Sequence, residues 1–201
     1  MAKIIEDSIK NRILGESVKC FAEKGYRGTS MRDIANQAEC SLPMLYYYYK
    51  NKKQLFEEVA FNEFVFTNDR LNKNIPFDDN LQNFYKSLLK SRKKLYPFEN
   101  SLYKISLQTF FGFDDLPELT QKMREWYINL ENHHIELIKK YYRSKNIDLI
   151  ALLISRYINE VTTKIVFGIT IYDEEIENEI DFLFKMLKRK NIKTEPRIKK
   201  V

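Results

Sequence analysis

Apolar residues recur at three- and four-residue intervals along nearly all of this 201-residue chain, and they almost nowhere alternate at intervals of two. That is the period of helices with one buried face, and its persistence leaves little room for a sheet. Only 5 glycines and 5 prolines interrupt it, which suits helices joined by short connections. With 44% hydrophobic and 31% charged residues the chain can bury a core, so the expected fold is all-α and globular.

The first helix is expected over Ile9 to Lys24, with Ile9, Ile13, Ser17 and Phe21 on one stripe, Leu14 and Val18 beside it, and Gly25 as its stop. A short helix follows in "TSMRDIANQAE", where Ser30 and Asp33 form a capping-box variant and Thr29 is an alternative cap. After a brief connection Ser41 is the natural N-cap of a third helix, with Pro43 tolerated in its first turn. The second and third helices make a helix-turn-helix. A longer helix is expected from Lys52 to about Asn72. Others are expected near 80–95, 99–112, 116–144, 148–172 and 174–191, with "FDDLPEL" (113–119) as a breaker and "RKNIKTEPRIKKV" as a frayed end.

Charge is unevenly spread. Residues 1–55 hold 10 Lys+Arg against 6 Asp+Glu, residues 56–195 hold 21 against 22, and residues 196–201 add three cations. A basic front on a near-neutral body points to a polyanion-binding module joined to something else. Cys20 and Cys40 are too few for a zinc site and lack the context for a disulfide, and Cys20 is expected to be a small core residue. His133 and His134 diverge by about 100° on a helix and cannot chelate one ion alone, so one is expected exposed and the other partly buried. No nucleophile motif, glycine-rich phosphate loop or paired carboxylates are present, so no metal, cofactor or catalysis is expected. The start "MAKIIEDSIKNR" has no signal-peptide character, and no run approaches the roughly 18 apolar residues of a membrane span. The expected location is cytoplasmic.

The stretch "RILGESVKCFAEKGYRGTSMRDIANQAECSLPMLYYYYKNKKQL" (12–55) carries a specific pattern. Phe21 and Ala22 precede "EKGY", and then come "TS" at 29–30, "RDIA" at 32–35, Ala38, Ser41, "LYYYY", Lys52 and Leu55. In this order, without gaps, they resemble the N-terminal domain of TetR-family transcriptional regulators. The resemblance covers about a quarter of the chain. It implies a helix-turn-helix DNA-binding domain over 1–52, a helical regulatory and dimerisation domain over 53–192, and a basic tail over 193–201. It also implies a homodimer, paired through its last two helices, that binds the double-stranded DNA of a palindromic operator and releases it on binding a small ligand.

The residues suit that role. Thr29 and Ser30 offer hydroxyls at a helix start, where a phosphate is favoured, and Arg32 reaches a guanine edge or a phosphate. Behind the cap Ser41, Leu42, Pro43 and Met44 stand at the leading end of the recognition helix and suit thymine methyls and groove shape. Four consecutive tyrosines cannot all be core. Tyr49 shares a face with Leu45 and packs inward, Tyr46 and Tyr47 lie on the groove side, and Tyr48 is intermediate. Lys52 is expected to neutralise a backbone phosphate, as the resemblance implies. Two positions depart from the family pattern: Glu39 stands where glycine is usual in the turn, and Leu42 where a polar residue is common.

In the body, Tyr96, Phe98, Tyr103, Phe110, Phe111, Phe113, Trp126, Tyr127, Tyr157 and Phe167 make an aromatic stock that serves either as core or as the lining of the family's ligand cavity. The expected lining is Tyr103, Phe110, Trp126, Tyr127 and Tyr157, with Gln108 and Asn159 as polar contacts, suited to an apolar or aromatic ligand. The stretch 149–172 is apolar on more than one face, and 179–190 carries Ile180, Leu183, Phe184 and Leu187 on one stripe. The competing reading is a small helical ligand-binding protein or enzyme with an incidental three-helix front. A third is a DNA-binding member that senses a partner protein or nothing.

Overall fold

Helix α1 (Ala2–Gly28) opens the chain, and its regular course breaks at Gly25, which takes φ 69 and ψ 178. A computed structural model describes residues 2–77, 80–112 and 115–189, with side chains from residue 8 onward. Phe113 and the basic tail 193–201 lie outside the described residues. Along α1 the expected stripe is buried at Ile13, Ser17 and Phe21, together with Val18 and Cys20. Ser17 is tolerated there because its hydroxyl donates to the Ile13 carbonyl at 2.7 Å.

Helices α2 (Met31–Gln37) and α3 (Leu42–Tyr48) follow, then α4 (Lys52–Glu57), which passes through a π-helical turn (Glu58–Glu63) into α5 (Phe64–Lys73). Next come α6 (Leu81–Arg92), α7 (Pro97–Phe111), α8 (Pro117–Tyr141), α9 (Ile147–Val166) and α10 (Asp173–Lys185). The all-α expectation therefore holds, apart from two strands of two residues each, β1 (Tyr142–Arg143) and β2 (Lys188–Arg189). They pair antiparallel, Tyr142 opposite Arg189 and Arg143 opposite Lys188. Helices α8 and α10 thus stop short of residues 144 and 191, and residues 142–143 and 188–189, expected to be helical, pair with one another in the ladder instead. Helix α9 stops at Val166 rather than 172, where Gly168 turns left-handed at φ 81.

The chain divides into two compact units, residues 1–67 with 96–123 and residues 68–95 with 124–201. In the first, α1 packs against α2, α4 and α7. Phe56 meets Phe21 edge-on at 4.9 Å and Tyr26 at 5.0 Å, while Phe64 meets Tyr103 edge-on at 5.2 Å. Ion pairs run between separate segments of the same unit: Arg27–Asp115 at 2.6 Å, Lys53–Glu118 at 2.9 Å and Glu57–Lys122 at 2.8 Å.

The second unit is built on α6, α9 and α10. Its core takes in Phe84, Tyr85, Leu88, Leu89, Ile154, Ile158, Ile176, Ile180, Phe184 and Leu187. An ionic ladder lies alongside. Lys86 bridges Glu177 at 2.6 Å and Asp181 at 2.5 Å, Lys90 pairs with Glu177, Lys93 with Asp173, and Gln82 hydrogen-bonds Asp181. Positions rising along α6 meet positions falling along α10, so the two helices run antiparallel with matched charge. The stripe of Ile180, Phe184 and Leu187 is buried in this unit's own core, and Leu183 packs against it. The apolar residues left exposed on α9 and α10 are others: Leu149, Leu153 and Phe182, with Met186 just past α10 and Phe167, Ile169 and Tyr172 between the helices.

The histidines also differ from expectation. His134 is buried and its Nδ1 lies 3.1 Å from the Tyr85 hydroxyl, while His133 is half-buried rather than exposed. Burial, with His133 and the Arg92 cation adding to it, takes the His134 imidazole down to about 3, so it is neutral in the fold.

Candidate nucleic-acid interface

The starts of the three helices between residues 30 and 57 are each fixed by a local side-chain cap. Ser30 is the N-cap of α2: its hydroxyl accepts from the Asp33 N–H at 3.1 Å, and the Asp33 carboxylate accepts from the Ser30 N–H at 3.0 Å. This reciprocal box is the one expected from the sequence, and the bonds from Ser30 hold the Asp33 carboxyl below its ordinary range. Arg32, beside the box, is exposed.

Thr29 differs from its neighbour. It is only 1% exposed, and its hydroxyl donates to the carbonyls of Cys20 at 3.1 Å and Gly25 at 2.8 Å. Its side chain therefore satisfies orphan carbonyls at the end of α1 and is turned away from any phosphate. Within the pair, only Ser30 has its side chain at the surface.

Helix α2 ends in a left-handed turn. The Cys40 N–H bonds the Ala35 carbonyl at 3.0 Å and the Glu39 N–H bonds the Asn36 carbonyl at 3.2 Å, with Glu39 at φ 47. Among the described residues Glu39 is the only non-glycine with positive φ. The turn position where glycine is usual on the family pattern is thus left-handed, and a glutamate occupies it.

Two residues later the Ser41 hydroxyl accepts from the Met44 N–H at 3.2 Å and starts α3. Pro43 and Met44 are exposed and Leu42 is half-buried. The tyrosine run divides much as its period demands: Tyr46 is 46% exposed, Tyr47 71% and Tyr49 4%. Tyr48 is half-buried, with its ring edge-on to Tyr47 at 5.1 Å. Tyr49 lies just past the helix, where its N–H bonds the Leu45 carbonyl, and both residues are buried. A turn capped by Asn51, whose side chain accepts from the Gln54 N–H at 2.8 Å, then launches α4. Lys52 stands at its first position. The Lys52 ammonium donates to the carbonyls of Tyr26 at 2.9 Å and Thr29 at 3.0 Å, so part of its charge already closes α1.

The surface that results combines hydroxyls, aromatic faces, apolar tips and cations on one capped helix pair, the chemistry that reads groove walls and thymine methyls while gripping phosphates. Arg12, which the pattern did not single out, touches the turn between these helices: from α1 it donates to the Glu39 carbonyl at 3.3 Å, across 27 positions of sequence. Contacts at that separation leave no local signal.

The residues expected to line a ligand cavity fall in both units. Tyr103 is core, packed on Phe64; Phe110 is half-buried against Phe111; and Gln108 is exposed. In the second unit Trp126 and Tyr127 meet edge-on at 5.0 Å, both half-buried, as are Tyr157 and Asn159. The Tyr157 hydroxyl is buried without a hydrogen bond of ordinary geometry, and burial, reinforced by Glu179, raises its phenol. Among the described residues no group of three or more metal-ligating side chains gathers, and no helix is long and apolar enough to cross a membrane.

Residues 13–59 match the family model described as bacterial regulatory proteins, tetR family. The chain is 28% identical over 134 residues, 66% of its length and 69% of the relative's, to the biofilm operon icaADBC HTH-type negative transcriptional regulator IcaR of Staphylococcus epidermidis. It is 24% identical over 144 residues to the HTH-type transcriptional regulator QacR of Staphylococcus aureus, covering 70% of this chain and 72% of that one. The fold is similar to that of NalD, the secondary repressor of the MexAB-OprM multidrug efflux pump in Pseudomonas aeruginosa. The TM-score is 0.64 at 17% identity, over 90% of this chain and 96% of that one.

Proposed function

We infer, from the premise that this chain belongs to the tetR family of bacterial regulatory proteins, that it is a DNA-binding transcriptional repressor which contacts its operator through residues 30–52. The observation that carries the assignment to these residues is the exposed edge of α3: Pro43, Met44, Tyr46 and Tyr47 stand outward on a helix fixed by the Ser41 cap, while Leu45 and Tyr49 anchor it from below. Its relatives are regulators, which argues against an enzyme with an incidental three-helix front.

In this reading Tyr46 and Tyr47 bond phosphates through their hydroxyls and lay their rings against sugar or a thymine methyl. Pro43 and Met44 meet base edges by shape, Ser30 and Ser41 border the backbone, and Arg32 reaches a guanine edge or a phosphate. Leu42 contributes at the helix start, and the third N–H of Lys52 remains for a phosphate. The protein acts as a homodimer on a palindrome. Support comes from Leu149, Leu153 and Phe182, large apolar side chains left at the surface of α9 and α10, and from Met186 just past α10. A small apolar or aromatic ligand releases the operator. Its proposed contacts within the second unit are Trp126, Tyr127, Tyr157 and Asn159, with the buried Tyr157 hydroxyl, near Glu179, the polar group among them.

The test is selection of duplexes from a random library by the full-length chain, followed by footprinting. The expected result is an enriched palindrome, bound by two copies, whose affinity falls at least tenfold on Tyr47→Ala. No enrichment at any salt concentration would remove the DNA reading.

A further inference from the structure

Two helices of this chain end in the same hydrogen-bonded turn but with different residues at its left-handed position. At the end of α9 the Ile169 N–H bonds the Lys164 carbonyl at 2.9 Å and the Gly168 N–H bonds the Ile165 carbonyl at 3.0 Å, with Gly168 at φ 81. At the end of α2 the equivalent bonds run from Cys40 to Ala35 and from Glu39 to Asn36, and the left-handed residue is Glu39. Glycine enters that region freely, whereas a side chain with a Cβ is disfavoured there. The turn between the two DNA-binding helices is therefore held in a conformation its own residue resists.

An outside contact opposes that resistance. The Arg12 guanidinium, on the exposed side of α1, donates through Nη2 to the Glu39 carbonyl oxygen at 3.3 Å. Relief of the left-handed strain means turning Glu39 about its N–Cα bond to a negative φ, which carries the Glu39 carbonyl and the Cys40 N–H with it. It would swing this oxygen away from Arg12 and break the bond from Cys40 to Ala35. Only Cys40 separates Glu39 from Ser41, the cap of α3, so such a rotation would change how the recognition helix begins.

We propose that Arg12 is a positioning residue for DNA binding: by holding the Glu39 carbonyl it keeps the turn left-handed and the recognition helix in register with α2. The proposal rests on the DNA-binding reading above. It assigns Arg12 no contact with DNA.

The test uses the full-length chain and the duplex it selects from the random library. Arg12→Ala should weaken binding about threefold to tenfold, the worth of one exposed hydrogen bond from a charged donor, with the dependence of affinity on salt unchanged. In a Glu39→Gly background, where the turn holds itself, the same substitution should cost less than about twofold. Amide exchange at Cys40 should quicken in Arg12→Ala and return to the parental rate in the double variant. A salt slope lowered by about one, with a loss that persists beside Glu39→Gly, would make Arg12 a phosphate contact and overturn the proposal. Unchanged binding and unchanged Cys40 exchange in Arg12→Ala would overturn it as well. If the parent chain selects no duplex, the DNA reading fails, and the Cys40 exchange rates still decide whether Arg12 holds the turn.

Discussion

The Lys52 ammonium lies 2.9 Å from the Tyr26 carbonyl oxygen and 4.4 Å from the centre of the Tyr26 ring. With the Thr29 carbonyl at 3.0 Å it serves as a cationic stop for α1, pinned there by the first turn of α4. A residue expected to meet phosphate is thus also part of the scaffold. Lys52→Met should cost roughly 1–2 kcal/mol of stability in urea unfolding, through two lost bonds to carbonyls and one cation–π contact. It should also lower the salt slope of operator binding by about one. A variant as stable as the parent would show that the carbonyl contacts contribute nothing.

Helices α4 and α8 carry charges of opposite order at matching one-turn intervals: Lys53 then Glu57, against Glu118 then Lys122. A slip of one turn would bring like charges together, so these pairs specify register more than they add stability. Lys53→Glu should lower the thermal midpoint. Adding Glu118→Lys should recover most of the loss, and high salt should shrink both effects. Additive losses in the double variant would dismiss the pairing.

Tyr49 carries a hydroxyl that is buried without a partner among the described residues, and burial, with Glu58 and Glu63 nearby, pushes it up to about 12. The anchor needs the ring and gains nothing from the oxygen. Tyr49→Phe should stabilise the protein by about 1 kcal/mol and leave operator affinity unchanged. A loss of stability would mean that the hydroxyl is satisfied.

His134 is neutral in the fold, titrating at about 3, whereas in the unfolded chain it takes up a proton near the ordinary 6.5. Between those values the unfolded state binds more protons, so stability falls as the pH is lowered. From pH 6.5 to pH 5 the loss should approach roughly 2 kcal/mol, and His134→Gln should flatten that interval in urea titrations. Below it a second loss belongs to Asp173, Glu177 and Asp181. Their lysine partners hold these carboxyls low, and their contribution disappears as the pH falls through their folded values. A steep slope persisting above pH 5 in His134→Gln would assign it to another group.

The sequence by itself determined the all-α class, the order of the helices, the Ser30–Asp33 box, the Ser41 cap and the inward and outward division of Tyr46, Tyr47 and Tyr49. Each depends on interactions within about one turn of helix, and so on spacings that sequence displays. The stop of α9 at Val166 was not read from the sequence, because the apolar run through 172 masked the left-handed Gly168. The tertiary structure alone decided where long side chains and ambiguous faces go. Thr29 was drawn inward because α1 ends beside it with open carbonyls, and Lys52 was shared with the same helix end. Ile180, Phe184 and Leu187 went to their own core because α6 and α9 lie against them, leaving Phe182 and Met186 outside. The hold of Arg12 on Glu39 spans 27 positions, and no local period records a contact that exists only once α1 and α2 have packed together.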